Sequence, residues 1–206
     1  MTNVNLKTEA IASVECDGME ISLAVKCEGL SMQASLNRLS ECSSQMMSAL
    51  AQAGIDPASF SLEKLNSSAR QDEGRQSAST ALLCKGPADL SLLKTIWHTL
   101  AALSFGVEAA VRFTLSDEEE LRFSLQSQAL QKARTQAVSF GTVLGTSNVS
   151  CQSASFSLDR TITTVPGTLC ALEQSVGPDF TVSFFDAVRI PAIRLKAVCE
   201  SVWSFE

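Results

Sequence analysis

The stretch Val4-Asn-Leu-Lys-Thr-Glu-Ala-Ile-Ala-Ser-Val-Glu-Cys16-Asp17-Gly18-Met19-Glu-Ile-Ser-Leu-Ala-Val-Lys-Cys27 decides the fold class. Before Asp17-Gly18 the apolar residues Val4, Leu6, Ala10, Ala12, Val14 and Cys16 stand on even positions, and only Ile11 points the other way. After it they move to odd positions: Met19, Ile21, Leu23, Val25 and Cys27. A period of two marks half-buried strands. Asp-Gly is the favoured two-residue connection where both turn positions need positive φ. An N-terminal β-hairpin is therefore expected, with Cys16 facing Met19, Val14 facing Ile21, Ala12 facing Leu23 and Ala10 facing Val25.

Outward from this unit the period changes. Met32, Leu36, Leu39, Met46 and Leu50 predict an amphipathic helix over about 30–53 that lies on the hairpin, with Gly54 as its left-handed end. Ile55-Asp-Pro opens a turn, and strands are expected near Phe60–Ala69 and Ser79–Lys85, flanking a polar loop from Gln71 to Gln76. A second helix runs from Asp89 to about Leu103, with Leu92, Leu93, Ile96, Trp97, Leu100 and Leu103 on one side. Residues 107–115 alternate as a half-buried strand.

Ser116-Asp-Glu-Glu119 has the spacing of a capping box and predicts a third helix. Its buried stripe is Leu121, Leu125, Ala129, Ala133, Ala137, Phe140 and Leu144, and Gly145 ends it. A strand over Val149–Leu158, a connection through Gly167 and Gly177-Pro178, and a last strand over Ile193–Phe205 complete the chain. So apolar a last strand requires insertion in a sheet. The expected fold is α+β, an antiparallel or mixed sheet with three amphipathic helices in the order ββαββαβαβ plus a C-terminal strand. No composition break or repeat divides residues 1–206, so a single domain is expected.

The chain has 206 residues, a net charge of −6, one His and no Tyr. Its composition, 45% hydrophobic and 18% charged, is globular. An acidic balance disfavours nucleic acid as a partner, and no apolar run is long enough to span a membrane. The start, Met1-Thr-Asn-Val-Asn-Leu-Lys7, does not read as an export signal. A cytoplasmic location is expected, or a periplasmic one if a leader has been removed. Asn66-Ser-Ser and Asn148-Val-Ser are then chance matches to a glycosylation pattern.

Seven Cys, at 16, 27, 42, 84, 151, 170 and 199, are odd in number and widely spaced, with no CxxC pair. They read as reduced, mostly buried thiols and not as a disulfide framework or zinc site. A redox-sensing thiol is the functional alternative. His98 reads as a helix-surface residue, and no G-x-S-x-G elbow supports a triad through it. Gly141-Thr-Val-Leu-Gly145-Thr-Ser lacks the Lys of a phosphate loop and lies at the wrong end of a helix. The acidic run Asp117–Glu120 is accounted for by capping. Trp97 and Trp203 read as core or interface anchors, and Arg112, Arg122 and Lys132 as solvated charges. No catalytic, cofactor-binding or metal-binding residue is assigned, and neither an enzyme nor a cofactor is expected.

Phe113-Thr-Leu-Ser-Asp117, followed by a helix carrying Ala129, Ala133-Arg134 and Ala137 and closing at Leu144-Gly145, resembles the SIMPL domain (DUF541, YggE-like) family. Leu50-Ala-Gln-Ala-Gly54-Ile55 is similar to the end of that family's first helix, and Asp89-Leu90 with Gly106-Val107 to its middle segment. Residues 193–205 resemble its last strand. The resemblance implies a link to oxidative-stress defence in bacteria, ring- or channel-like oligomers in some members, and adaptor roles in kinase signalling in animals. It carries no catalytic residues. A non-enzymatic, self-associating binding or scaffold protein is thus expected, a homo-oligomer with an unidentified protein partner. A thiol-based stress protein is the alternative.

Overall fold

A computed structural model describes residues 2–70, 75–163 and 189–206. The elements are β1 (Thr2–Glu15), β2 (Gly18–Gly29), α1 (Met32–Gln52), a 3-10 turn (Pro57–Ser59), β3 (Phe60–Arg70), β4 (Arg75–Pro87), α2 (Leu90–Ala101), β5 (Glu108–Thr114), α3 (Glu118–Leu144), β6 (Val149–Thr163) and β7 (Ala192–Phe205). The α+β class and the expected order of elements are both present. β4 begins four residues earlier than predicted and β6 runs five residues longer. Residues 71–74 of the predicted polar loop, Cys170, Gly167 and Gly177-Pro178 lie outside the described residues.

The strands form two antiparallel sheets, β1-β7-β6 and β3-β4-β2-β5. Internal contacts group the chain into two compact units. Of the described residues, the first gathers 2–16, 115–163 and 191–206; the second holds 17–70, 75–114 and 189–190.

In the first unit β7 is central, between β1 and β6. Ile193, Leu195, Ala197, Cys199, Trp203 and Phe205 are buried along it, as the alternation predicts. Ser201 joins them: Trp203 Nε1 donates to Ser201 Oγ at 2.9 Å, which satisfies the buried indole. α3 covers this sheet through Leu125, Ala129, Ala133, Ala137 and Gly141. Small side chains at this four-residue step let helix and sheet backbones approach closely. Thr8 Oγ1 donates to the Ala129 carbonyl at 2.6 Å and pins β1 to the helix.

In the second unit Met19, Ile21, Leu23, Val25 and Cys27 of β2 are all buried, the face their alternation assigns. α1 packs on β2 and β4. Leu39, Met46, Leu50, Leu93 and Ile96 complete one core with them. Fully burying side chains of this size contributes roughly 1.5–3 kcal/mol each. α1 ends in a Schellman motif: Ile55 N donates to Leu50 O, Gly54 N donates to Ala51 O, and Gly54 has φ +84°.

Three local expectations are corrected. First, the pairs expected within the N-terminal unit do not form. Ala10 faces Ala197 and Ala12 faces Leu195 on β7, while Val25 faces Thr80 and Leu23 faces Leu82 and Ala109. Neither Asp17 nor Gly18 has positive φ. Gly18 instead lies close against β5: a Cβ there would stand 2.5 Å from Thr114 Oγ1, and that hydroxyl would have to turn aside. Second, the cap of α3 falls on Asp117, not Ser116, and Asp117 makes no side-chain cap bond. Glu119 therefore takes the second helical position, not the third that the box assigns it. Third, Phe140 and Leu144 are exposed, and Gly141 takes their place in the buried stripe. A stripe advancing by fours continues 125, 129, 133, 137, 141; the step of three to Phe140 leaves it.

Candidate functional site

Among the described residues, those singled out in the sequence meet in pairs, Glu118 with Arg122 and Cys27 with Cys42, and do not gather at one site. His98 is half-buried in the last turn of α2. Among the described residues no three His, Cys, Asp or Glu side chains stand where they could hold a metal ion. No described helix is long and apolar enough to cross a membrane. Trp203 is buried, while Trp97 is partly exposed.

The acidic run at the start of α3 has a structural occupation. Glu118 binds Arg122 Nη2 at 2.6 Å and Arg160 Nε at 3.3 Å. Burial pushes the Glu118 carboxyl up, but the two guanidinium groups outweigh it and hold the acid below its ordinary range. Arg122 is thus an ion-pair partner, not a freely solvated charge.

Six thiols are described, none of them in a disulfide: Cys16, Cys27, Cys84 and Cys199 are buried, Cys42 is partly buried and Cys151 is exposed. Burial, reinforced by the neighbouring Cys42, pushes the Cys27 thiol up to about 11. Burial likewise raises Cys199. Thiols held protonated in this way are poor nucleophiles.

Each unit carries an open groove among its described residues. In the second unit an apolar groove of about 480 Å³ lies between α1 and the β3–β4 pair, with Leu36, Met47, Leu65 and Leu82 in its walls. Leu62 and Leu65, on the edge strand β3, are more than half exposed. Ser43, also in the wall, has a buried Oγ without a hydrogen-bond partner.

In the first unit a polar groove of about 690 Å³ runs along β1 beside α3, lined by Lys7, Thr8, Glu9, Gln128, Gln131 and Lys132 among others. Its charges are ordered. Lys7 pairs with Glu200 at 2.7 Å and Glu9 with Lys196 at 2.5 Å, so that both groove charges of β1 are matched from β7. Hydrogen bonding and attraction from Lys196 lower the Glu9 carboxyl, and Glu200 raises the Lys7 ammonium. Lys132 Nζ donates to the Glu9 backbone carbonyl at 2.9 Å. Lys132 reads in sequence as a plain surface charge, and Lys7 and Glu9 as polar residues between apolar ones. The one available signal is their alternation of opposite charge on the exposed face of an edge strand.

Fold and grooves together define an α+β protein with two antiparallel sheets, whose outer strands each have one strand partner among the described residues. The SIMPL family model, described as a protein of unknown function (DUF541), matches residues 4–167. The chain belongs to the SIMPL family. No curated protein matches it. Among solved structures it is similar to that of an unknown protein from Galdieria sulphuraria, at 9% identity, covering 90% of this chain and 82% of that one, with a TM-score of 0.24. At that score the likeness bears on neither fold nor function.

Proposed function

We propose that the protein is a non-enzymatic binding or scaffold protein that associates with itself through its sheet edges and serves a stress response. The observation that carries the self-association is the form of the first sheet. Its two outer strands, β1 and β6, are 14 and 15 residues long, and each has a strand partner on one side only among the described residues. β6 also leaves Phe156, Leu158 and Ile162 exposed. An unpaired edge of that length is a template for another strand unless it is covered. The stress role draws only on the family resemblance. Sedimentation velocity over a wide range of concentration tests the association. Growth of the sedimenting species with concentration is expected, and a strict monomer throughout overturns it.

A second reading, thiol-based stress defence, is favoured by the exposed Cys151. Mild hydroperoxide followed by peptide mass spectrometry tests it. Oxidation confined to Cys151 supports this reading, and an intact fold with every thiol still reduced removes it.

A further inference from the structure

The edge of β1 carries more information than its length. In an antiparallel ladder the peptide groups of successive residues turn alternately toward and away from the neighbouring strand. Cys16 N donates to Pro191 O on the β7 side, so even-numbered residues of β1 turn toward β7. The Glu9 carbonyl turns the other way and is met by the Lys132 ammonium, not by a strand. Asn5, Lys7, Glu9 and Ile11 therefore present N–H and C=O groups to the open side, and their side chains stand on the exposed face.

The polar groove lies along this edge and is centred on Thr8, with Lys7 and Glu9 on either side. A second β1 laid antiparallel about Thr8 brings Lys7 of each copy opposite Glu9 of the other. It also continues a row already half built, because Lys7 is paired to Glu200 and Glu9 to Lys196 within one chain. Charge then alternates across the junction: Glu200, Lys7, then Glu9 and Lys196 of the second copy. Centring the pairing on Glu9 would set Glu9 against Glu9, and centring it on Lys7 would set Lys7 against Lys7. A register centred on Ile11 overlaps fewer residues and abandons the groove.

We infer that the open edge of β1 is the site at which two copies of this chain join, antiparallel and centred on Thr8, with reciprocal Lys7–Glu9 pairs fixing the register. This names the edge used by the self-association proposed above and rests on that reading. Lys132 competes for the same carbonyl and acts as the guard that keeps the junction reversible.

The test uses charge reversal, read by sedimentation. Lys7→Glu alone places Glu opposite Glu at both contacts, and Glu9→Lys alone places Lys opposite Lys. Each is expected to weaken dimerisation by about tenfold or more. An equimolar mixture of the two variants restores opposite charges at both contacts, so a one-to-one heterodimer is expected. A misfolded variant could not produce that restoration. Ile11→Pro removes an outward N–H without breaking the β1–β7 ladder, and it too should weaken the dimer. Lys132→Gln should strengthen it. If the wild-type chain is a monomer throughout, this inference and the broader proposal fall together. If it self-associates but Lys7→Glu and Glu9→Lys have no effect, or their mixture restores nothing, the β1 junction alone is overturned.

Discussion

Gly141 sits where two preferences oppose each other. Mid-helix, Gly→Ala favours the helix by up to about 1 kcal/mol. Here an added Cβ would stand 2.7 Å from Val149 Cγ2 and 3.0 Å from the Thr146 carbonyl. That carbonyl belongs to the backbone of the helix end, where Thr146 N donates to Gly141 O and Gly145 N donates to Thr142 O. The backbone cannot yield as a flexible side chain can, so Gly141→Ala is expected to lose about 1–2 kcal/mol net. Urea denaturation checks it, and a stabilised variant contradicts the close packing at this position. Ala133, fully buried between α3 and the sheet, is the companion case. Ala133→Leu should cost about 2–3 kcal/mol through overpacking. The neighbours that would have to make room, Leu6, Trp203 and Phe205, are themselves buried. The same denaturation experiment reads this loss, and a variant as stable as the parent would show spare room under α3.

At the scale of elements, the start of α3 shows charge working at a helix end. Asp117 makes no side-chain cap bond, and three acids occupy the first turn, where the helix dipole favours them. Glu118 then reaches Arg160 on β6 as well as Arg122 on its own helix, so it links helix and sheet. Its folded-state carboxyl is held below the ordinary 4.5. The stability it contributes is thus fully present above about that pH and is lost as pH falls through the lower folded value. Thermal unfolding should show a midpoint that drops as the solution is taken from neutral to below the ordinary carboxylate range, and Glu118→Gln should flatten part of that drop. An unchanged slope in the variant would place the acid sensitivity elsewhere, with Glu9, Glu20 and Glu200 as the other lowered carboxylates.

For the whole molecule, burial sorts the thiols. Under native conditions a maleimide reagent should modify Cys151 first, with Cys16, Cys27, Cys84 and Cys199 protected until unfolding. Rapid native labelling of Cys27 or Cys199 would show that the cores open more readily than their burial implies. Two cores, one on each sheet, arise from a chain that reads in sequence as one continuous run of elements. Composition marks no boundary because the first unit is not contiguous: it is closed by β7, which brings residues 192–205 back beside β1.

Read alone, the sequence determined which segments become strands and helices and which face most of them bury. Those properties follow from short-range periodicity: the two-residue alternation of β1, β2 and β7, and the three- and four-residue steps of α1 and α2. It also located Gly54 and Gly145, because left-handed helix ends favour glycine whatever lies beyond them. Tertiary structure alone decided which strands pair. Alternation marks a buried face but names no neighbour, so Ala10 could satisfy its pattern against Val25 as well as against Ala197. It decided what Gly18 meets, since Thr114 arrives from β5, far along the chain. It also exposed the polar groove, because Lys7, Glu9, Lys132, Lys196 and Glu200 become neighbours only when β7 and α3 close around β1.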